Sequence, residues 1–149
     1  MRQRSPDWLL VEVFQVIADT RMQGLPIVNP RLTVEAVGFR RWGPYWAGVL
    51  LTPWFMNFLL LADDEPLLAL PVGQERLIAL PGGNLPFKSA HEPQLGDYYH
   101  CSLFSPMADF IDQESARAVA QEMIRLLFLQ DAPAAVANPS RRRLLGLRA

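Results

Sequence analysis

The chain has one cysteine and one lysine in 149 residues. Cys101 alone excludes an internal disulfide and any metal site built from several cysteines, and a single thiol fits a reducing cytoplasm. Lys88 stands against thirteen arginines, a bias that genome composition explains as readily as function does. The two histidines, His91 and His100, lie far from the acidic run Asp63-Asp64-Glu65 and give no metal-ligand spacing. His100 and Cys101 are neighbours in an expected strand, so their side chains point to opposite faces and form no nucleophile–base pair. No serine sits in a G-x-S-x-G setting, and Gly82-Gly83 precedes no helix, which makes it a turn rather than a phosphate cradle. The basic start is followed by Asp7 and Glu12, so no signal-peptide core is expected there. These absences leave no catalytic residue, no metal and no cofactor to assign, and the chain reads as non-catalytic.

Charge is unevenly spread. The net formal charge is −1, yet residues 137–149 hold Arg141, Arg142, Arg143 and Arg148 with no acid. The preceding residues carry ten basic against fifteen acidic groups, a net −5. An acidic body with a basic tail is a poor match for nucleic acid, which calls for a basic stripe on the folded face. The expected organisation is therefore one α+β domain over residues 1–136 and a basic, mobile tail over 137–149.

What the chain does have is a long uncharged stretch, Gly43 to Ala62. As a helix its twenty residues would span about 30 Å, the thickness of a bilayer core. That makes a membrane-associated protein anchored through residues 43–62 the alternative to consider. Pro53 in the middle, Thr52 and Asn57 beside it and β-rich surroundings argue instead for two buried strands hinged at Thr52-Pro53, with no stable membrane insertion.

Around this stretch the periodicities change twice. Ser5-Pro6-Asp7 predicts a helix start with Ser5 as cap, and Leu10, Val13, Phe14 and Ile17 follow helical spacing up to Gly24 and Pro26. Strands are expected over 32–41, 45–52, 54–61, 74–80, 85–91 and 97–104, divided by turns at Trp42-Gly43-Pro44, Pro81-Gly82-Gly83-Asn84 and Glu92-Pro93. Asp112 caps a last helix whose stripe is Ala116, Val119, Ala120, Met123 and Leu127, ended by Asp131-Ala132-Pro133. Helix, antiparallel strands, helix is an α+β order: a sheet of five or six strands with both terminal helices packed on it. Two helices can cover about one face; the other must be polar, covered by loops or left apolar for a partner, and the composition of residues 45–61 favours the last in part.

Three segments, W-A-G-V-L-L-T-P-W at 46–54, C-S-L-F-S-P-M at 101–107 and R-R-R-L-L-G at 141–146, together resemble the HybE/HupJ-type assembly chaperones of nickel–iron hydrogenases. The resemblance covers nearly the whole chain through the order and spacing of the three motifs. It implies a cytoplasmic maturation factor without a cofactor of its own. Its partners would be the hydrogenase small-subunit precursor with its twin-arginine export signal and, as a further candidate, the large subunit. Client-binding positions implied by the motifs are Trp46, Gly48, Thr52, Pro53, Trp54, Ser105, Pro106, Met107, Arg142 and Arg143, and the apolar run after the first motif adds Phe55 and Met56. An apolar groove near Trp46, Trp54, Phe55 and Met56 would take the apolar part of such a signal, and the acidic body its basic leader.

Overall fold

Strands with an apolar residue at nearly every position need cover on both faces, and this protein supplies it with one helix per face. The computed structural model describes residues 5–62 and 72–129. Its elements are α1 (Asp7–Asp19), β1 (Glu35–Trp42), β2 (Tyr45–Leu51), β3 (Met56–Ala62), β4 (Glu75–Leu80), β5 (Gly83–Glu92), β6 (Gly96–Phe104) and α2 (Gln113–Phe128). The strands form one antiparallel sheet in the order β1-β2-β3-β6-β5-β4. The uncharged stretch is thus β2, a turn and β3 in the middle of the sheet, and no helix among the described residues is long and apolar enough to cross a membrane.

Partners across an antiparallel ladder share a face. The register puts Val37, Val49, Phe58 and Cys101 in one row, with Leu60 and Tyr99 beside it on the same face. Helix α2 lies here. Phe128 packs against Trp42 and Phe58 with ring centroids 5.9 and 5.8 Å apart, and the Arg40 guanidinium sits 4.0 Å above its ring. Trp46, Leu50, Leu59, Leu61 and Tyr98 belong to the opposite face, and all five are buried. Helix α1 covers them with Leu10, Val13, Phe14 and Ile17. Arg21, just beyond α1, pairs with Glu92 at 3.6 Å over the β5–β6 turn, close to Tyr98, whose hydroxyl burial pushes up to about 12.

The expectation that two helices cover about one face, with part of the central strands' apolar surface left for a partner, is corrected in this respect. The sheet is wide and twisted, and fully apolar central strands can be stable only when each face has its own helix. A fully buried leucine contributes roughly 1.5–3 kcal/mol, so leaving the row Leu50, Leu59, Leu61 open would forfeit much of a domain's net stability. Cover does fail at one edge. On the α1 side of the β4–β5 hairpin, Leu77 and Pro86 remain exposed.

Two close approaches fix this arrangement. The Phe39 ring lies directly on Gly48, where any Cβ would strike both the ring and the Phe39 backbone. Gly82, in the β4–β5 turn, donates its N–H to the Leu127 carbonyl at 2.8 Å and sits so tightly under α2 that a Cβ would collide with the Leu126 carbonyl. At the helix starts, Asp112 caps α2 by accepting from the Ser115 N–H at 2.7 Å. In α1 the cap position is Pro6 rather than Ser5, and no side chain caps it.

Candidate interaction surface

Threonine, asparagine and proline between apolar strands are turn chemistry, and the turn joining β2 to β3 shows what they do. The Thr52 hydroxyl accepts from the N–H groups of Trp54 and Phe55 at 3.2 and 3.0 Å and donates to the Phe55 carbonyl at 3.2 Å. Pro53, lacking an N–H, fits this strand end, and its carbonyl accepts from the Asn29 N–H at 2.9 Å. The buried Asn29 amide then donates to the carbonyls of Met107 at 3.0 Å and Phe110 at 2.9 Å, while its oxygen accepts from the Arg31 N–H at 3.0 Å. One residue, through its backbone N–H and its side chain, thereby ties together the loop after α1, the Thr52-Pro53-Trp54 turn and the segment following β6. Asn29 was not marked by its sequence setting, since Val28-Asn29-Pro30 reads only as a loop.

Against that geometry the twelve positions singled out from the sequence separate into three groups. Trp46, Gly48, Thr52, Pro53, Trp54, Met56 and Met107 are buried and offer a partner almost no surface. Phe55 is half-buried, wedged edge-on between Phe14 at 5.9 Å and Trp54 at 5.6 Å; Ser105 and Pro106, joined by a cis peptide, are exposed. Arg142 and Arg143 lie outside the described residues. The expected apolar groove at Trp46, Trp54, Phe55 and Met56 is corrected on this ground: those side chains face the two helices, and the space between is filled. Cys101 is likewise buried under α2, and burial pushes its thiol up to about 11, which keeps it protonated at neutral pH. Among the described residues no three His, Cys, Asp or Glu side chains gather as metal ligands.

The open apolar surface lies elsewhere, between the outward face of α1 and the start of the edge strand β1. Trp8 and Val16 are 59% and 57% exposed, unusual values for residues of a helix that otherwise buries a full stripe. With Val11, Val34 and Ala36 they line a shallow groove of about 770 Å³. Asp7, Glu12 and Glu35 line it too, and among the described residues no basic side chain does. Burial alone would raise Glu35, but hydrogen bonds from Arg117 (2.7 Å) and Gln113 (2.8 Å), with the guanidinium charge, outweigh it and hold the carboxyl below its usual value. Asp7 is different. Desolvation raises it, and its Oδ1 is buried without a hydrogen-bond partner. Carboxylates beside exposed tryptophan and valine can take a cationic donor followed by an apolar segment. The sequence signal for this groove was present in Trp8 and Val16, which break the polar face of α1, but a helical wheel does not show what stands beside that face.

Comparison with known proteins converges on one family. The family model described as NiFe-hydrogenase assembly, chaperone, HybE matches residues 5–147. Protein HoxT of Cupriavidus necator is 45% identical over 130 residues, covering 79% of this chain and 73% of that protein. The hydrogenase expression/formation protein HupT of Azotobacter chroococcum is 40% identical over 136 residues, 90% of each chain. The solution structure of HybE from Escherichia coli superimposes with a TM-score of 0.68 at 24% identity, covering 85% of this chain and 78% of that one, and so shares the fold.

Proposed function

The chain belongs to the HybE family of nickel–iron hydrogenase assembly chaperones, and from that membership we propose that it binds an immature hydrogenase subunit in the cytoplasm without turning it over. The proposed client is the small-subunit precursor, held through its twin-arginine signal until cofactor insertion and subunit pairing are complete; the large subunit is a second candidate. The observation behind this choice is the groove between α1 and β1, which is apolar, edged by three carboxylates and, among the described residues, free of lining bases. A signal with a basic leader and an apolar core matches it in order and in sign. Trp46, Gly48, Thr52, Pro53, Trp54, Met56 and Met107 serve this proposal as scaffold. They set the sheet against which α1 is laid, while Phe55, Ser105 and Pro106 remain as contact positions at the neighbouring end of the sheet. Arg142 and Arg143 are repelled by a basic leader, so their part is not to hold it.

Co-expression with a tagged small-subunit precursor tests the reading. A complex is expected with the native chain and should be lost with Trp8→Ala combined with Glu12→Lys, while circular dichroism shows the variant folded. Absence of a complex with either subunit would refute the function proposed.

A further inference from the structure

The chain's single lysine stands on an open sheet face. On the α1 side of the β4–β5 hairpin, alternate side chains of each strand point outward: Glu75, Leu77 and Ala79 from β4, and Lys88, Pro86 and Asn84 from β5. All six are exposed, Leu77 by 65%. The other side of the same hairpin is closed, with Leu80, Leu85 and Phe87 buried. Arg76 pairs with Phe87 in the ladder and so belongs to that other side.

The register sets the six in three rows. Glu75 lies opposite Lys88, Leu77 opposite Pro86, and Ala79 opposite Asn84, in a ladder without a bulge. Each row joins unlike residues, which makes the face complementary to itself under one particular twofold axis. Let the axis run parallel to the strands, midway between β4 and β5. It lays β4 of one copy over β5 of the other at the same height. Glu75 then meets the partner's Lys88, and Lys88 meets the partner's Glu75. Leu77 covers the partner's Pro86, and Ala79 covers the partner's Asn84. Sheets packed in this aligned way stand about 10 Å apart, within reach of glutamate and lysine side chains from the two layers.

We propose that the α1-side face of the β4–β5 hairpin is a self-association surface, on which two copies of this chain pack about a twofold axis through reciprocal Glu75–Lys88 contacts. The contact is isologous, so it closes at two copies and builds no fibre. Three rows of two strands bury only a few hundred Å² per copy, short of the roughly 800 Å² per partner of a stable complex. The dimer is therefore transient and salt-sensitive. It shields Leu77 from non-specific association. The groove between α1 and β1, beside the opposite edge of the sheet, stays open in both copies. The inference does not depend on the identity of the client.

The test uses the full chain. In sedimentation equilibrium the average mass should rise with protein concentration, and more so at low salt. A carbodiimide should join Lys88, the only lysine, to Glu75 of another copy, and mixing isotope-labelled with unlabelled chain identifies that link as intermolecular. Leu77→Glu, at an exposed position, should raise the dissociation constant about tenfold while circular dichroism shows the fold intact. Glu75→Lys and Lys88→Glu should each abolish the dimer alone, and a mixture of these two variants should restore it by pairing unlike copies. A mass that stays monomeric up to millimolar protein, a dimer indifferent to Leu77→Glu, or a mixture no more associated than its components overturns the proposal. So does a Leu77→Glu variant of unchanged mass that captures less small-subunit precursor, because the face then belongs to the client.

Discussion

The two helices do opposite jobs, and their sequences differ accordingly. Helix α2 is fastened at both ends, by the Asp112 cap and by Gly82 under its last turn, and its polar side is occupied by the Arg125–Glu122 and Arg117–Glu35 pairs. Helix α1 has no side-chain cap, exposes Trp8 and Val16, and keeps the buried, unpartnered oxygen of Asp7. A helix that only had to hold the sheet would gain from replacing those features. The difference marks α2 as the structural brace and α1 as the face with work outside the core.

That division can be broken most forcefully from the α2 side. Gly82→Ala drives a methyl into the Leu126 carbonyl and should cost about 3 kcal/mol or more, read as a large fall in the urea midpoint. Asn29→Ala comes next. It takes the side-chain donor from the Phe110 carbonyl and one of two donors from the Met107 carbonyl, which keeps the Phe110 N–H, and should cost about 1–3 kcal/mol, with the segment after β6 loosening in hydrogen exchange.

Glu35 sits at the junction of the two regions and has a smaller effect. Its carboxyl is held below the usual 4.5, so its contribution is complete above that value and disappears as pH falls through the depressed one. Glu35→Gln should therefore lower the neutral-pH midpoint by under about 1 kcal/mol, and the gap to the native chain should close in strong acid.

The α1 substitutions sharpen the contrast by doing almost nothing to stability. Asp7 has a raised carboxyl, so its ionisation opposes folding at neutral pH and ceases to do so as pH falls through the raised value. Asp7→Asn should leave the thermal midpoint unchanged or slightly higher, and Trp8→Ala should stay within about 0.5 kcal/mol of the native chain. Both should weaken client capture in a pull-down. A marked loss of stability from either would remove the distinction between the helices.

Much of this architecture was legible in the residues. The six strands fall within three residues of the expected bounds, because Pro53, Pro81-Gly82-Gly83 and Glu92-Pro93 punctuate them where strands must stop. Asp112 was readable as a cap for the same local reason. The side of the sheet each helix takes was not. Leu50 and Val49 are equally apolar, and when both faces are buried the period-two alternation that would assign them is absent. The site was harder still. Tryptophan in the motif W-A-G-V-L-L-T-P-W attracts a binding interpretation, but Trp46 packs under Arg41 with its ring 5.1 Å from the guanidinium and Trp54 closes the turn against Phe55. The exposed Trp8 is surrounded by partners from Val34 to Ala36, distant in sequence, and only tertiary contact reveals them.

The hydrogen bond from Gly82 to Leu127 has a consequence for cooperativity. A helix end fastened only by its own last turn frays independently, whereas this one can open only if the β4–β5 turn opens with it, so the two should exchange their amides as a single unfolding unit. The point at which the chain leaves the sheet is thereby held stationary.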